Sequence, residues 1–198
     1  MNRRHFLTSS LAAVPVLRSQ SARKFRTALI GSGWWGMNIL RCAMESGECT
    51  VVAMCDLDDN QLNPAVDEVR KLSSDQPKKY KDYRELIDRE HKSIDVVTVS
   101  TPDHHHAAAS LLALRAGKHV YCQKPLARTV AEVRAMKAEA AKRPKQATQM
   151  GNQGHAAEGI RLLREWVEAG LIGKVESIEF YTNRPIWPQG IKRPSEAH

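Results

Sequence analysis

The stretch Gly31-Ser32-Gly33-Trp34-Trp35-Gly36 constrains this chain more than any other. A short apolar run, Arg26–Ile30, precedes it and reads as a buried strand. Residues Met37 to Ser46 follow it with helical periodicity. A second apolar run, Val51–Cys55, ends at Asp56, twenty residues past the last glycine. Strand, G-x-G-x-x-G, helix, strand and acid is the order a dinucleotide site requires. Gly31 permits the tight turn, Gly33 lets backbone approach a pyrophosphate, and Gly36 lets helix pack on strand. The unpaired N–H groups at that helix start, with the helix dipole, favour phosphate; the Trp34 amide is one candidate donor.

Downstream, strand and helix alternate. Pro64–Leu72 reads as a helix with Pro64 near its start, and residues 73–79 as a polar loop. Asp82-Tyr-Arg-Glu85 is a capping-box pattern. Ile94–Ser100 is β-branched and apolar, hence a central strand. Asp103 is a candidate N-cap for a helix over 104–116 that Gly117 ends. His119–Cys122 reads as a strand, and Thr129-Val-Ala-Glu132 as a second capping box, with Val130, Val133, Met136 and Ala140 facing inward. Ala147–Met150 reads as a further strand, followed by a 151–155 loop. Ile160, Leu163, Val167 and Leu171 stripe a last helix capped by Gly170, and Val175–Tyr181 reads as one more strand. Strands joined by single helices imply a doubly wound parallel α/β sheet of the Rossmann kind over residues 24–150, with strand order 3-2-1-4-5. Ligands sit at the carboxyl ends of such strands, so the loops 31–36, 56–59, 101–104, 123–125 and 151–155 are expected to converge there. Residues 151–198 read as the truncated start of a second α/β domain, because a lone strand makes no domain.

The first 21 residues stand apart. Asn2-Arg3-Arg4-His5-Phe6-Leu7 is a twin-arginine pattern, and a short apolar core and small residues follow. This predicts a signal peptide over 1–21, the twin-arginine export machinery as a partner, and a periplasmic or exported destination; the core is too short for a membrane anchor. Charge enters here. The chain carries +8, of which Arg3, Arg4 and Arg18 supply three within that segment, leaving +5. The remaining basic residues lie scattered among acids without interleaved aromatics, which argues against a nucleic-acid partner. The four cysteines, at 42, 49, 55 and 122, contain no C-x-x-C, which argues against zinc. In the expected sheet Cys55 and Cys122 lie three strands apart, roughly 14 Å, beyond disulfide reach.

The glycine loop, Cys55-Asp56, Ser100-Thr-Pro-Asp103 with the histidines after it, and Tyr121-Cys-Gln-Lys-Pro-Leu126 resemble the Gfo/Idh/MocA oxidoreductases. Gln149–His155, Gly170–Val175 and Asn183–Gln189 are similar to an exported bacterial branch of that family. The resemblance runs from about residue 24 to the end. It implies a nicotinamide cofactor, a sugar or polyol substrate, a second domain whose open sheet faces the nicotinamide, and association through that sheet into a homo-oligomer when full length. The common family motif is Glu-Lys-Pro; here Gln123 replaces the glutamate. An amide still hydrogen-bonds a ribose but cannot accept a proton. The aspartate and histidine that the family draws from its second domain have no counterpart in the chain.

The resemblance implies that Lys124 is the catalytic group, exchanging a proton with a substrate hydroxyl beside the nicotinamide. Asp56 accepts from the adenosine ribose and repels a 2′-phosphate, favouring NAD over NADP, with Asp58 as a competing candidate. Thr101 and Pro102 shape the nicotinamide-ribose edge, with His104 and Gln123 beside the cofactor. Asn152 and His155 are substrate candidates. His104-His105-His106 invites a metal reading, but three consecutive helical positions spread over roughly 200°, so no metal ligand is assigned. Three functions remain open: a sugar or polyol oxidoreductase with retained, recycled cofactor; a glycoside hydrolase of the same family using transient NAD oxidation; and a truncated, non-catalytic nucleotide-binding fragment.

Overall fold

The computed structural model describes residues 23–181. The predicted signal segment and Asn183–Gln189 lie outside them. The chain divides into two units, Met1–Asn152 and Gln153–His198.

In the first unit, the elements are β1 (Phe25–Ile30), α1 (Trp34–Glu45), β2 (Cys49–Cys55), α2 (Asp59–Leu72), β3 (Lys78–Tyr80), α3 (Tyr83–Glu90), β4 (Val96–Val99), α4 (Asp103–Arg115), β5 (His119–Gln123), α5 (Val130–Ala141) and β6 (Thr148–Gly151). The six strands form one parallel sheet in the order β3-β2-β1-β4-β5-β6. The doubly wound α/β expectation is met. Two apolar clusters cover the sheet. Leu29, Val51 and Met54 pack with Met37, Leu40, Leu62 and Val66 of α1 and α2. Ala28, Ile30, Val97 and Val99 pack with Leu86, Ala109, Ala113 and Leu114 of α3 and α4. Val97 and Val99 are fully buried, which is why that run carries no polar alternation. At the amino end, Arg26 bonds both carboxylate oxygens of Asp95 at 2.8 and 3.0 Å, tying β1 to the residue before β4. This hydrogen-bonded guanidinium holds the Asp95 carboxyl well below the usual carboxylate range.

Several local expectations are corrected. The third strand lies at Lys78–Tyr80, partly inside the stretch read as loop. It is a three-residue edge strand with two exposed lysines, too short and too charged to show an apolar period. The second helix begins at Asp59, not Pro64. Asp58 caps it by accepting from the Asn60 N–H at 2.8 Å, and the buried Leu62 anchors its first turn. Asp82 caps α3, accepting from the Arg84 N–H at 2.8 Å, while Glu85 pairs with Arg89 instead of completing the box. Asp103 is not the cap of α4 but its first residue, with Pro102 before it. There its charge complements the dipole. The box at Thr129 and Glu132 is complete, but Val130 beside it is 66 % exposed rather than inward. All four cysteines are free thiols, and β2 and β5 stand three steps apart as expected.

The second unit contains a 3₁₀ turn at Gln153–Ala156 and the helix α6 (Glu158–Glu168). Gly170 follows with φ +70°. Leu171 falls beyond the helix, so the expected stripe loses its last member. Residues 175–181 are not a strand. A strand exists through its ladder partner, and among the described residues none pairs with this segment.

Candidate functional site

The site grows from the carboxyl ends of β1, β2 and β4, which the parallel register brings level: Ile30 pairs with Cys55 and with Val99. The chain leaves β1 through Gly31, whose φ of +90° only glycine adopts without strain. A Cβ there would meet the Ser100 carbonyl at 2.7 Å, so β4 abuts the turn directly. A Cβ on Gly36 would lie 1.9 Å from the Gly31 carbonyl oxygen. The helix therefore closes on the turn because neither residue has a side chain. Gly33 differs: its Cβ position meets nothing nearer than Gln61 Oε1 at 3.8 Å. It caps α1 in extended conformation with no side-chain hydrogen bond. The first turn of α1 thus has no side-chain cap, and the space beside Gly33 is open.

Asp56 fastens this loop. Its Oδ2 accepts from the Ser32 N–H at 2.7 Å and the Ser32 hydroxyl at 3.1 Å; its Oδ1 accepts from the Asp58 N–H at 3.1 Å. A carboxylate offers about four lone-pair sites, so Oδ1 retains room for one further donor. Asp58 is committed to capping α2, which separates it from Asp56 as a candidate. Next to Asp56, burial and then that carboxylate push the Cys55 thiol up to about 12, so Cys55 is an inert core thiol.

Gly31, Gly33, Asp56, Thr101, Pro102 and His104 together line one crevice of about 450 Å³. Its far wall comes from Leu57, Tyr83 and Arg84, with the guanidinium 4.7 Å over the Tyr83 ring. Sequence reading brought Leu57 here with the 56–59 loop but missed Tyr83 and Arg84: they arrive at the start of α3, and no local motif ties them to the glycine loop. The Ser100 and Thr101 hydroxyls are buried with no partner. Orphaned hydroxyls, an uncapped helix start, a side-chain-free approach at Gly33 and a carboxylate with spare acceptor capacity are the features an extended phosphate-and-ribose ligand requires.

The other predicted residues lie elsewhere. Trp34 is 71 % exposed at the start of α1, its ring 5.1 Å from that of Trp35. Gln123 is buried at the end of β5, against Gly151, where an added Cβ would meet its Oε1. Lys124 is exposed in the loop after β5, and its peptide bond to Pro125 is cis. Asn152 is exposed after β6. His155 belongs to the second unit. The three histidines separate as helix geometry demands: His104 and His105 reach the crevice, while His106 is buried. Among the described residues no three histidine, cysteine, aspartate or glutamate side chains gather as a metal site would need.

Comparison with known proteins agrees with this geometry. The chain is 35 % identical over 135 residues to a glycosyl hydrolase family 109 protein of Stenotrophomonas maltophilia, covering 62 % of this chain and 29 % of that protein. It is 30 % identical over 150 residues to an inositol 2-dehydrogenase of Salmonella typhimurium, covering 75 % and 43 %. The crystal structure of myo-inositol 2-dehydrogenase from Lactobacillus plantarum superposes with a TM-score of 0.69 at 30 % identity, over 77 % of this chain and 43 % of that one. The chain thus spans less than half the length of these relatives. Residues 25–151 match the oxidoreductase family described as having an NAD-binding Rossmann fold. The chain belongs to the Gfo/Idh/MocA oxidoreductase family, through its NAD-binding Rossmann domain.

Proposed function

We propose that this chain is the cofactor-binding part of an NAD-dependent oxidoreductase acting on a sugar or polyol hydroxyl. The crevice at the ends of β1, β2 and β4 carries the reading, because it joins an uncapped helix start to a carboxylate with one acceptor site to spare. The N–H groups after Gly33, that of Trp34 included, hold the pyrophosphate, and Gly31 and Gly36 hold the loop in shape. Asp56 accepts from one ribose hydroxyl while keeping its bonds to Ser32. Its charge favours NAD over NADP by opposing a 2′-phosphate. Thr101, Pro102 and His104 border the nicotinamide ribose, and Gln123 supports that edge from the end of β5. A bound nicotinamide would supply the acceptor for the hydride leaving the substrate carbon. Lys124 takes the proton leaving the hydroxyl oxygen, so a secondary alcohol becomes a ketone. Asn152 orients the substrate. The names of the inositol and levoglucosan dehydrogenases among the relatives support the substrate class.

Arg3, Arg4, Phe6 and Leu7 support export through the twin-arginine route. That route moves folded protein, so the cofactor travels bound and is recycled on the enzyme. The Stenotrophomonas relative favours a second reading, in which a glycosidic bond is eliminated with no net change in the cofactor.

Titration of the chain with NAD and NADP, followed by tryptophan fluorescence, tests the cofactor assignment. Saturable binding with NAD at least tenfold tighter is expected, and binding of neither dinucleotide refutes it. With the full-length protein, accumulation of reduced cofactor on adding myo-inositol or levoglucosan supports the dehydrogenase. Release of an aglycone without net reduction supports the hydrolase.

A further inference from the structure

The third histidine of the run does something the first two do not. His106 lies near the start of α4 and is 1 % exposed. Its ring is held between two backbone carbonyls. Nε2 is 2.6 Å from the Thr101 oxygen, and Nδ1 is 2.6 Å from the Pro125 oxygen. One carbonyl belongs to the loop after β4 and the other to the loop after β5. A carbonyl oxygen only accepts. A neutral imidazole has one N–H and one lone pair, whereas the doubly protonated ring donates from both nitrogens. In the neutral ring, one of these short contacts would set a lone pair against a carbonyl oxygen where water cannot intervene. Both contacts are also as short as charge-assisted hydrogen bonds. A histidine that only fills core space needs one partner; here acceptors stand on opposite edges of the ring.

We propose that His106 is a positioning residue. With a proton on each ring nitrogen, it clasps the Thr101 carbonyl to the Pro125 carbonyl and sets the spacing between the two loops at the nicotinamide end. This rests on the functional reading above, which places Thr101, Pro102 and Lys124 at that end. His106 touches neither substrate nor cofactor in this arrangement. It acts through its neighbours: Lys124 is bonded to Pro125, and Thr101 lines the crevice while its backbone is held. Thr101 N would also lie 2.8 Å from a Cβ on Gly31. The clasp therefore joins, through Thr101, the glycine loop to the lysine loop.

Long-range ¹H–¹⁵N correlation spectra of the chain labelled at histidine, recorded near neutral pH, test this without cofactor or substrate. The His106 signals are assigned by their loss in His106→Gln. The expected result is that both ring nitrogens of His106 carry protons. A single-tautomer neutral pattern overturns the proposal. Amide hydrogen exchange in His106→Gln and His106→Leu provides the second measurement. Exchange is expected to rise at least tenfold at the amides of Ser100, Thr101, Lys124, Leu126 and Ala127, with β1 and β2 unchanged. Unchanged exchange in both loops overturns the clasp. Should neither variant fold, the wild-type spectrum still decides, with assignment by selective labelling. NAD titration of the wild-type chain is read separately: its failure refutes the cofactor reading, whereas a neutral His106 refutes only the clasp.

Discussion

Alanine at Gly33 and at Gly36 is expected to separate the fold from the ligand. Gly36 is the third residue of α1, where alanine would normally stabilise by up to about 1 kcal/mol through helix propensity. Here the new Cβ would lie 1.9 Å from the Gly31 carbonyl oxygen. That atom is backbone, and the Gly31 N–H is itself bonded to the Cys55 carbonyl at 2.8 Å, so it cannot swing away as a side chain would. Turn and helix must part by more than an ångström. Overpacking of this kind costs about 1–3 kcal/mol, occasionally more, and the rigid obstacle places this site at the upper end. Net of the propensity gain, Gly36→Ala destabilises by about 2 kcal/mol, a Tm drop of roughly 4–8 °C for a protein of this size. Gly33→Ala meets only Gln61 Oε1 at 3.8 Å and keeps an ordinary φ of −64°. Its cost is limited to the poorer N-cap, under about 1 kcal/mol. The Cβ occupies the approach to the helix start, so NAD affinity falls at least tenfold, about 1.4 kcal/mol. Urea and thermal unfolding give the first quantity, and fluorescence titration the second. A Gly36→Ala chain as stable as wild type would refute the packing argument. Undiminished NAD affinity in Gly33→Ala would refute the placement of the pyrophosphate.

Other expectations follow from the same side chains. Burial works against ionisation of Glu90, but hydrogen bonds from Lys78, Tyr80 and Ser93 outweigh it and hold the carboxyl at about 2 against an ordinary 4.5. A depressed folded value means that its contribution is complete above 4.5 and is lost as the pH falls toward 2. In Glu90→Gln the fall in urea midpoint between pH 6 and pH 3 should shrink, and an unchanged fall would refute the assignment. A thiol reagent should label the exposed Cys42 of the native chain and reach Cys49, Cys55 and Cys122 only on unfolding; mass spectrometry of the digested protein reads the sites, and native labelling of Cys55 would contradict its burial. Asp56→Ala leaves the Ser32 donors without their acceptor, costing about 1–3 kcal/mol, and narrows the preference for NAD over NADP. A variant with wild-type stability and wild-type preference would show that Asp56 neither fastens the loop nor reads the ribose.

The parallel sheet was legible because its determinants are local. The Val96–Val99 run, the three loop glycines and the Asp56 spacing each carry their own constraint within a few residues. Two elements were not legible for opposite reasons. Lys78–Tyr80 is a strand through its pairing with Ala53–Cys55, not through any pattern of its own. Val175–Tyr181 has the alternation of a strand, yet among the described residues it finds no ladder partner. Pattern proposes a strand; a neighbour at hydrogen-bonding distance makes one. The second helix shows the same limit: Pro64 looked like a beginning, but the cap at Asp58 and the burial of Leu62 hold the turn before it.

The site divides along the same line. Residues that act through their own backbone, Gly31, Gly33 and Gly36, were placed by sequence, and so was Asp56 at the end of its strand. Residues that act across the sheet were not. His106 belongs to a stripe with Ala109, Ser110 and Ala113, all nearly or fully buried, so helical spacing alone marks it as inward while His104 faces the crevice. What spacing cannot supply is its pair of acceptors. Thr101 lies five residues before it and Pro125 nineteen after. They flank one ring because β4 and β5 are neighbours in register, with Val99 opposite Cys122. A histidine run that resembles a metal site in one dimension thus becomes, once the strands are paired, two crevice residues and one buried bridge between the loops that the chemistry needs side by side.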